Sequence, residues 1–294
     1  MAWATLVRLP NLGTAPPDVI AGCAIGLAVG QGVSLPTLVG ASFASICLYG
    51  AGTVLNDYAD AAVDAIERPK RPIPSGEISG RMALAGGLTL LCGGIIGGYL
   101  SGGPQSGIVA IILATLIVLY DGLWKGSVLG WVTMGACRGM NVLLGVSLAV
   151  NPLNAPPWAI GYAIAIALYI GAITRLAEGE TGAPNSRAAL LVAYTALLTT
   201  VVPFWLLIEE PTTIGALGVG YGLLGCFGYW IGPVLYRTYT DPTPATVGPT
   251  VGVCLQGLVL LNGAVAGAIV PSLGIIAGGC FMATVRMAKT FKMS

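Results

Sequence analysis

The sequence predicts an all-α protein, a polytopic bundle of transmembrane helices. Only 9% of its 294 residues are charged, whereas soluble domains carry about 25% charged residues. Apolar residues make up 55% of the chain and the mean hydropathy is +0.85, so polar side chains are too few to cover a water-facing surface. A soluble globular protein is therefore excluded, and most of the outer surface must face lipid.

The composition also excludes several classes of function. The net charge is +1, and no run of basic residues is long enough to follow a phosphate backbone, so nucleic acid is not a predicted partner. The chain has no His, and its seven cysteines include no C-x-x-C pair. This composition lacks the ligand sets that are typical of zinc and haem sites.

Ten apolar segments are long enough, at about 17 to 25 residues, to cross roughly 30 Å of hydrocarbon. They are residues 16–33, 36–57, 80–100, 106–122, 127–150, 156–177, 187–208, 212–236, 246–270 and 272–290. Pro271 is compatible with a tight turn between two crossings or with a break in one distorted helix. We expect one transmembrane domain, residues 1–294, with a possible repeat of two halves, 1–125 and 126–294.

The basic residues indicate the orientation of these segments. If all ten cross, the loops at 34–35, 101–105, 151–156, 209–211 and 271 share one side and contain no Lys or Arg. The opposite side carries Arg8, Arg68, Lys70, Arg71, Arg81, Lys125, Arg175, Arg187, Arg237, Arg286, Lys289 and Lys292. Because Lys and Arg collect on the cytoplasmic side, we expect both termini and the loops that follow even-numbered segments to be cytoplasmic.

The segment from Asn56 to Gly76 carries the most informative pattern. It reads N-D-Y-A-D-A-A-V-D-A-I-E-R-P-K-R-P-I-P-S-G. If the preceding helix continues, Asp57, Asp60 and Asp64 follow i, i+3, i+7 spacing and share one face. Three like charges on one face repel, so something cationic should balance them. The candidates are a bound divalent ion and the basic residues downstream, Arg68, Lys70 and Arg71.

These oxygen ligands favour Mg²⁺, which one or two carboxylates usually hold together with substrate phosphates. The downstream basic residues would then bind the outer phosphate oxygens. Three prolines, Pro69, Pro72 and Pro74, end the helix before this loop. The alternative is an ordinary charged loop that anchors a helix end, but acids at regular helical spacing near a membrane are costly without a purpose.

The pattern N-D-x-x-D-x-x-x-D followed by R-P-K-R-P-I-P-S-G resembles the first aspartate-rich motif of the UbiA superfamily of membrane prenyltransferases, in its chlorophyll synthase style. Further similar features are Arg8 to Asn11, Tyr120 to Lys125, Leu129-Gly130 and Arg138-Gly139-x-Asn141. The resemblance implies a helical bundle around a central cavity, usually with nine transmembrane helices. Together with our count, it predicts nine to ten.

The resemblance also implies roles for individual residues. One Mg²⁺ on a prenyl diphosphate would be held by Asn56, Asp57, Asp60 and Asp64. The leaving pyrophosphate would be stabilised by Arg68, Arg71 and Lys125. The catalytic residues would then be Asp57, Asp60, Asp64 and Lys125.

The second acidic motif departs from the family pattern. The family has further acids after its sixth helix, as D-x-x-x-D or D-x-x-x-x-E-G-D. This chain has Glu178 and Glu180 in the E-G-D part and Ile173 in place of the first acid, while Arg175 adds a positive charge. Near-octahedral Mg²⁺ tolerates misplaced ligands poorly, so a second metal site on Glu178 and Glu180 should be weakened or absent. Alternatively, both acids simply solvate a helix end.

Three other polar residues are candidates for the wall of the cavity and for substrate binding: Tyr120, Arg138 and Asn141. Arg138 and Asn141 lie three residues apart on one helix face. A buried Arg in a membrane span needs an anionic partner. The candidates are an acid such as Asp57 or Asp121, or the diphosphate itself, so structural pairing and ligand contact both stay open.

The favoured function is Mg²⁺-dependent transfer of a prenyl group from a prenyl diphosphate to a lipophilic or aromatic acceptor. A second hypothesis is a catalytically weakened protein that binds or helps to export a lipophilic precursor. This hypothesis follows from the degenerate second motif and from a resemblance to the UbiA-like proteins of bacterial "ebo" gene clusters, which implies a bacterial inner membrane. An ion-coupled transporter is disfavoured, since apart from Arg138 the predicted segments lack charges near their midplanes.

Overall fold

The computed structural model describes residues 1–180, 182, 184–209 and 213–290, with side chains for all of these except 202–209. Every regular element in these ranges is helical. The α-helices are α1 (Ala2–Leu6), α2 (Leu9–Leu12), α3 (Pro16–Val29), α4 (Leu35–Ala59), α5 (Ala61–Glu67), α6 (Gly80–Leu119), α7 (Val128–Val146), α8 (Pro157–Ala177), α9 (Ser186–Glu209), α10 (Ile214–Thr240), α11 (Pro244–Ile269) and α12 (Pro271–Thr290). The predicted all-α fold is confirmed.

Helix α6 contains two of the predicted segments. Its 40 residues are broken at Gly102 and Gly103, and Pro104 follows. Gly103 has a φ of +70°, a left-handed conformation that glycine adopts without steric cost. Gly98 packs near the Ala110 side chain and Gly107 near Tyr99, so the two arms fold back on one another as an antiparallel pair.

The junction between α11 and α12 shows which of the two alternatives for Pro271, a tight turn or a break in one helix, the fold adopts. Val270 is extended, with φ −130° and ψ 98°, and Pro271 begins a new helix. Gly274 lies against the Gly267 backbone, and Ala277 packs beside Gly263. These contacts define two antiparallel helices joined by a tight turn, and the interpretation as one distorted helix is wrong.

Seven spans in the described ranges are long and apolar enough to cross a membrane. They are Leu9–Val29, Leu35–Ala59, Gly80–Trp124, Pro157–Glu180, Ile214–Thr240, Pro244–Ile269 and Pro271–Thr290. The span Gly80–Trp124 contains both arms of α6. The predicted segments at 127–150 and 187–208 correspond to α7 and α9.

Three of the loops predicted to share the uncharged side lie at one end of the bundle. The backbone N–H of Gln31, after α3, donates to the Ala149 carbonyl after α7, at 3.1 Å. Near the bend of α6, Gln105 Nε2 donates to the Ser147 carbonyl at 2.6 Å, and the Ser106 and Ser147 hydroxyls are 2.7 Å apart. The acidic segment 57–64 lies at the far end of α4 from Ser34, about 35 Å away for a helix of this length.

Helices α3 and α7 approach at backbone distance. A Cβ on Gly22 would overlap the Val142 carbonyl, and one on Gly145 would overlap the Val19 carbonyl. Small residues allow such close packing in membranes, where apolar area alone does not drive association. This contact positions the middle of α3 against the face of α7 that carries Arg138 and Asn141.

We expect cysteine labelling of intact cells to report the predicted orientation. In a background without the seven native cysteines, Asn154→Cys should label from outside and Ser75→Cys only after permeabilisation. Ser294→Cys, which lies outside the described residues, should also need permeabilisation if ten segments cross. Labelling of position 75 from outside would contradict the orientation, and labelling of position 294 from outside would mean an odd number of crossings.

Candidate active site

The first acidic segment forms a charged mouth at one end of the bundle. Helix α4 ends at Ala59 and α5 runs from Ala61 to Glu67, and Asp60 is the single residue between the two helices. Asp57 and Asp64 are buried, and the guanidinium of Arg71 donates to both, to Asp57 Oδ1 at 3.4 Å and to Asp64 Oδ2 at 2.6 Å. The structure thus brings two of the three predicted acids together on one predicted cation.

Two further basic residues complete the charge pairing at the mouth. Arg8 donates to Asp57 Oδ1 at 3.2 Å, from the segment between α1 and α2. Lys125 forms an ion pair with Asp60, and it follows the π-helical turn Tyr120–Trp124 at the end of α6. Each aspartate of the first motif therefore faces a cationic side chain.

Two predicted phosphate ligands differ in exposure. Arg71 is partly buried between its two carboxylates, whereas Arg68, at the C-terminal cap of α5, is exposed. Lys70 is also exposed. Among the three basic residues that follow α5, Arg71 is thus the one that ion pairs fix at the mouth.

The donor atoms at the mouth suit a hard cation. Asn56 Nδ2 donates to Asp121 Oδ1 at 2.9 Å, while the buried Asp121 Oδ2 has no hydrogen-bond partner. Carboxylate and amide oxygens are the ligands that Mg²⁺ prefers. Within the described ranges, no three Asp, Glu or Cys side chains are close enough to hold a metal ion. The carboxylate and amide oxygens of the predicted ligands are therefore of the types that fit Mg²⁺. Three of these ligands, Asp57, Asp60 and Asp64, also lie beside a cationic side chain.

The second acidic segment lies apart from this set of contacts. Glu178 accepts a hydrogen bond from Trp131 Nε1 at 2.5 Å and pairs with Arg175 at 2.8 Å. The Arg175 guanidinium stacks on the Trp131 ring, 4.9 Å from its centroid. Glu180 is exposed, and neither acid lines the apolar cavity that opens from the mouth. Glu178 thus has a basic partner of its own.

Ile173 is 2% exposed in the apolar core, so we expect Ile173→Asp to destabilise the protein rather than to add a metal ligand. An unpaired buried carboxylate should lower the free energy of unfolding by several kcal/mol. The matched control Ile173→Val should cost about 0.5–1.5 kcal/mol. Thermal unfolding in detergent measures both, and a gain in Mg²⁺-dependent pyrophosphate release by Ile173→Asp would contradict this expectation.

The apolar cavity has a volume of about 210 Å³. Its walls include Leu48, Leu113, Ile117 and Met134, and its charged or polar end includes Arg8, Asn56, Tyr120, Asp121 and Lys125. Ser45, Tyr49, Arg138 and Asn141 line it further along. Ser45 lies eleven residues before Asn56 on α4, or about 16 Å along the helix. The cavity therefore suits an elongated molecule with a charged head and an apolar tail.

A buried polar network extends from the cavity wall into the bundle. Arg138 Nη1 lies 3.1 Å from Asp18 Oδ2, and Asn141 Nδ2 donates to the same oxygen at 2.9 Å. Asn262 Nδ2 donates to Asp18 Oδ1 at 2.7 Å, and Tyr162 donates to Asn262 Oδ1 at 2.8 Å. The anionic partner of Arg138 is thus Asp18.

The prediction that Asp57 or Asp121 pairs with Arg138 is wrong, because those acids lie at the mouth, where Asp57 is paired with Arg8 and Arg71 and Asp121 with Asn56. Asp18 was not among the predicted site residues, although the sequence carries a signal for it. An acid inside the first apolar segment is costly in a membrane and indicates a buried partner. Arg138 also lies over the ring of Tyr49, 5.4 Å from its centroid.

A helical membrane bundle around an apolar cavity with a charge-paired mouth defines a class of membrane protein that accommodates amphiphilic molecules. The chain belongs to the UbiA prenyltransferase family, whose model matches residues 19–234. This finding confirms the resemblance carried by the first acidic motif. The protein is accordingly a multi-pass integral membrane protein.

Two curated relatives are digeranylgeranylglyceryl phosphate synthases from archaea. The one from Methanothrix thermoacetophila is 32% identical over 155 residues, covering 52% of this chain and 56% of the relative. The one from Methanosarcina barkeri is 36% identical over 100 residues, covering 34% of each chain. The matches thus span between a third and just over half of these relatives.

Solved structures share the fold over nearly the whole chain. A UbiA homologue from Aeropyrum pernix K1 gives a TM-score of 0.66 at 15% identity and covers 89% of this chain and 98% of its own. A UbiA homologue from Archaeoglobus fulgidus bound to GPP and Mg²⁺ gives a TM-score of 0.63 at 14% identity, covering 90% and 99%. At these identities the likeness supports the fold alone.

Proposed function

We propose that this protein transfers a prenyl group from a prenyl diphosphate to a lipophilic or aromatic acceptor, with Mg²⁺ as cofactor. The observation that carries the proposal is the charged mouth on the apolar cavity, where Asp57, Asp60 and Asp64 meet Arg8, Arg71 and Lys125. Two findings support the proposal: the chain belongs to the UbiA prenyltransferase family, and the homologue from Archaeoglobus fulgidus that shares its fold is bound to GPP and Mg²⁺.

The basic side chains at the mouth bind and stabilise the diphosphate. Arg71 is fixed by two buried carboxylates, so its guanidinium is preorganised to donate to phosphate oxygens. Lys125 and Arg8 add positive charge beside the same opening. These charges favour cleavage of the C–O bond, because negative charge develops on the departing pyrophosphate in the transition state.

Asn56, Asp57, Asp60 and Asp64 are the candidate ligands, and because no three acids in the described ranges are close enough to hold the ion by themselves, one or two of these side chains would hold Mg²⁺ together with oxygens of the diphosphate. When bound, Mg²⁺ neutralises the diphosphate and makes it a better leaving group. The walls formed by Leu48, Leu113 and Ile117 hold the prenyl tail and exclude water from the allylic carbon. The acceptor then forms a bond to that carbon and loses a proton, and pyrophosphate leaves through the mouth.

A binding or export function without turnover is the second candidate. The observation that favours it is the state of the second acidic segment, in which Glu178 is paired with Arg175 and Ile173 is part of the core. A site with one metal and no second acidic cluster would bind a diphosphate without necessarily cleaving it.

The proposed orientation places the mouth on the cytoplasmic side of the membrane. This placement rests on the distribution of Lys and Arg. A bacterial inner membrane stays a prediction, since the relatives from Methanothrix and Methanosarcina are archaeal.

Product formation tests the proposal. We expect purified protein, given Mg²⁺, a series of prenyl diphosphates and a panel of lipophilic and aromatic acceptors, to yield products whose mass is increased by one prenyl unit. Products should disappear when EDTA replaces Mg²⁺. Saturable binding of the diphosphates without any product across the panel would favour the second candidate.

A further inference from the structure

Asp121 is an acidic residue of the mouth that does not belong to the first acidic segment. It lies in the π-helical turn Tyr120–Trp124 at the end of α6, 65 residues after Asn56. Short π-helical turns are rare and occur frequently at functional sites. Asp121 and Lys125, which follows the turn, both line the cavity beside Asn56. Asp121 is thus a residue of the mouth to which the proposed mechanism assigns no role.

The hydrogen bond between Asn56 and Asp121 fixes the orientation of the Asn56 amide. Asn56 Nδ2 donates to Asp121 Oδ1 at 2.9 Å. A carboxylate only accepts hydrogen bonds, whereas an amide has a donor nitrogen and an acceptor oxygen. The amide nitrogen must therefore face Asp121, and the carbonyl oxygen Oδ1 must point away from it. If this oxygen were turned towards Asp121 instead, two acceptors would repel each other.

The orientation leaves the Asn56 carbonyl oxygen free for a ligand. Among the described residues, none donates a hydrogen bond to Asn56 Oδ1. The oxygen is also not one of their buried side-chain atoms without a partner. Asn56 itself is half-buried and lines the cavity. Oδ1 is thus an accessible oxygen on a residue of the cavity wall.

This free oxygen distinguishes Asn56 from the other candidate ligands. The three acids of the first motif all pair with basic side chains, so Mg²⁺ must compete with those cations for the carboxylate oxygens. Within the described ranges, no cationic side chain donates to Asn56 Oδ1. The bond to a negatively charged acceptor also polarises the Asn56 amide and raises the electron density on its oxygen. Asn56 is therefore well suited to bind the ion as long as its amide keeps this orientation.

We propose that Asp121 is a positioning residue of the metal site, which orients Asn56 so that its carbonyl oxygen, and not its amide nitrogen, faces Mg²⁺. Near-octahedral Mg²⁺ tolerates misplaced ligands poorly, and an amide that turns over presents N–H groups that repel the ion. The inference rests on the proposed function, in which Asn56 is a candidate ligand. It makes Asn56 one of the side chains that hold the ion together with the diphosphate.

Asp121→Asn tests this role, because the new amide can donate to Asn56 Oδ1 and so allows the Asn56 amide to turn over. Mg²⁺ is titrated calorimetrically into purified protein that contains a saturating, non-hydrolysable prenyl thiolodiphosphate. We expect Mg²⁺ to bind about 10–100-fold more weakly than in the wild type, which is the usual effect of losing a partner that orients a metal ligand. Without Mg²⁺, the affinity for the thiolodiphosphate should not fall, since a negative charge is removed beside an anion. Wild-type Mg²⁺ affinity in folded Asp121→Asn would overturn the proposal.

A double-mutant cycle separates the orientation of Asn56 from a general effect of the Asp121 charge. Asn56→Ala removes the ligand and should weaken Mg²⁺ binding at least as much as Asp121→Asn does. If Asp121 acts through Asn56, Asp121→Asn should cost nothing further in the Asn56→Ala background. A general charge effect would weaken Mg²⁺ binding in both backgrounds, and equal losses in both would contradict the positioning role.

Exchange of the two residues provides a rescue. In Asn56→Asp/Asp121→Asn, the new amide donates to one oxygen of the new carboxylate, which offers its other oxygen to the ion. Mg²⁺ affinity should return to within a few-fold of the wild type, and a folded exchange variant as weak as Asp121→Asn would argue against the inference.

The matched control is Asp241→Asn, which makes the same change at an exposed acid that does not line the cavity. It should leave the Mg²⁺ affinity unchanged. An equal loss in Asp241→Asn and Asp121→Asn would reduce the effect to net charge and overturn the proposal.

Asp64→Ala, measured in the same way, separates this inference from the proposed function. If Asp64→Ala loses Mg²⁺-dependent binding of the thiolodiphosphate while Asp121→Asn binds as the wild type does, the positioning role fails and the metal assignment stands. If the wild type itself shows no Mg²⁺-dependent binding, the metal site of the proposed function fails, and the inference fails with it.

Discussion

Asp64→Ala is expected to abolish Mg²⁺-dependent binding of a prenyl thiolodiphosphate. The substitution removes a proposed metal ligand and also the carboxylate that holds Arg71 at 2.6 Å. Charged hydrogen bonds of this kind contribute about 1.5–3 kcal/mol each, so losing the metal contact and the placement of Arg71 together should weaken binding at least a hundredfold. Asp60→Ala, which releases Lys125, should act in the same direction.

The control for this prediction is Asp241→Ala. Asp241 is an exposed acid at the C-terminal cap of α10 and does not line the cavity, so its removal should leave the affinity unchanged. Calorimetric titration with and without Mg²⁺ provides the affinities, and thermal unfolding checks that each variant is folded. Wild-type affinity in folded Asp60→Ala and Asp64→Ala would reject the metal assignment.

The second large effect concerns stability. Arg138→Met leaves Asp18 buried without its cation, and breaking a buried ion pair from one side typically costs about 3–5 kcal/mol. We therefore expect a large drop in the unfolding temperature in detergent. The double variant Asp18→Leu/Arg138→Met removes both charges and should recover much of this loss.

An exposed ion pair provides the comparison. Arg175 and Glu178 have side chains about one third exposed, so Arg175→Met should cost less than about 1 kcal/mol. If the double variant at Asp18 and Arg138 is as unstable as Arg138→Met alone, the ion pair is not what the arginine contributes to stability.

Most of the helical architecture was readable from the sequence, because apolar segment length and the positions of Pro and Gly are local properties. The break at Gly102 and Gly103 falls in the gap between two predicted segments, and α5 ends before Pro69 as predicted. The alternatives at Pro271 stayed open, because only packing distinguishes a turn from a kink. The contact between Gly267 and Gly274 supplies that information.

The site was readable where its residues are adjacent in the chain. The spacing of Asp57, Asp60 and Asp64 indicated a shared charged cluster, and Arg71 was among the predicted cations. The partners that the sequence did not specify come from far along the chain. Asp18 lies 120 residues before Arg138, and Lys125 lies 65 residues after Asp60, so only the packing of helices brings these pairs together.

Pyrophosphate release is the measurement that tests the proposed prenyl transfer most directly. We predict that purified protein, given a prenyl diphosphate, an acceptor and Mg²⁺, releases pyrophosphate at a rate that falls to background with EDTA and in Asp64→Ala. Thiolodiphosphate binding that is intact in the wild type, without release from any prenyl diphosphate in the presence of acceptors, would contradict it. The protein would then be a member of the family that binds the substrate without transferring the prenyl group.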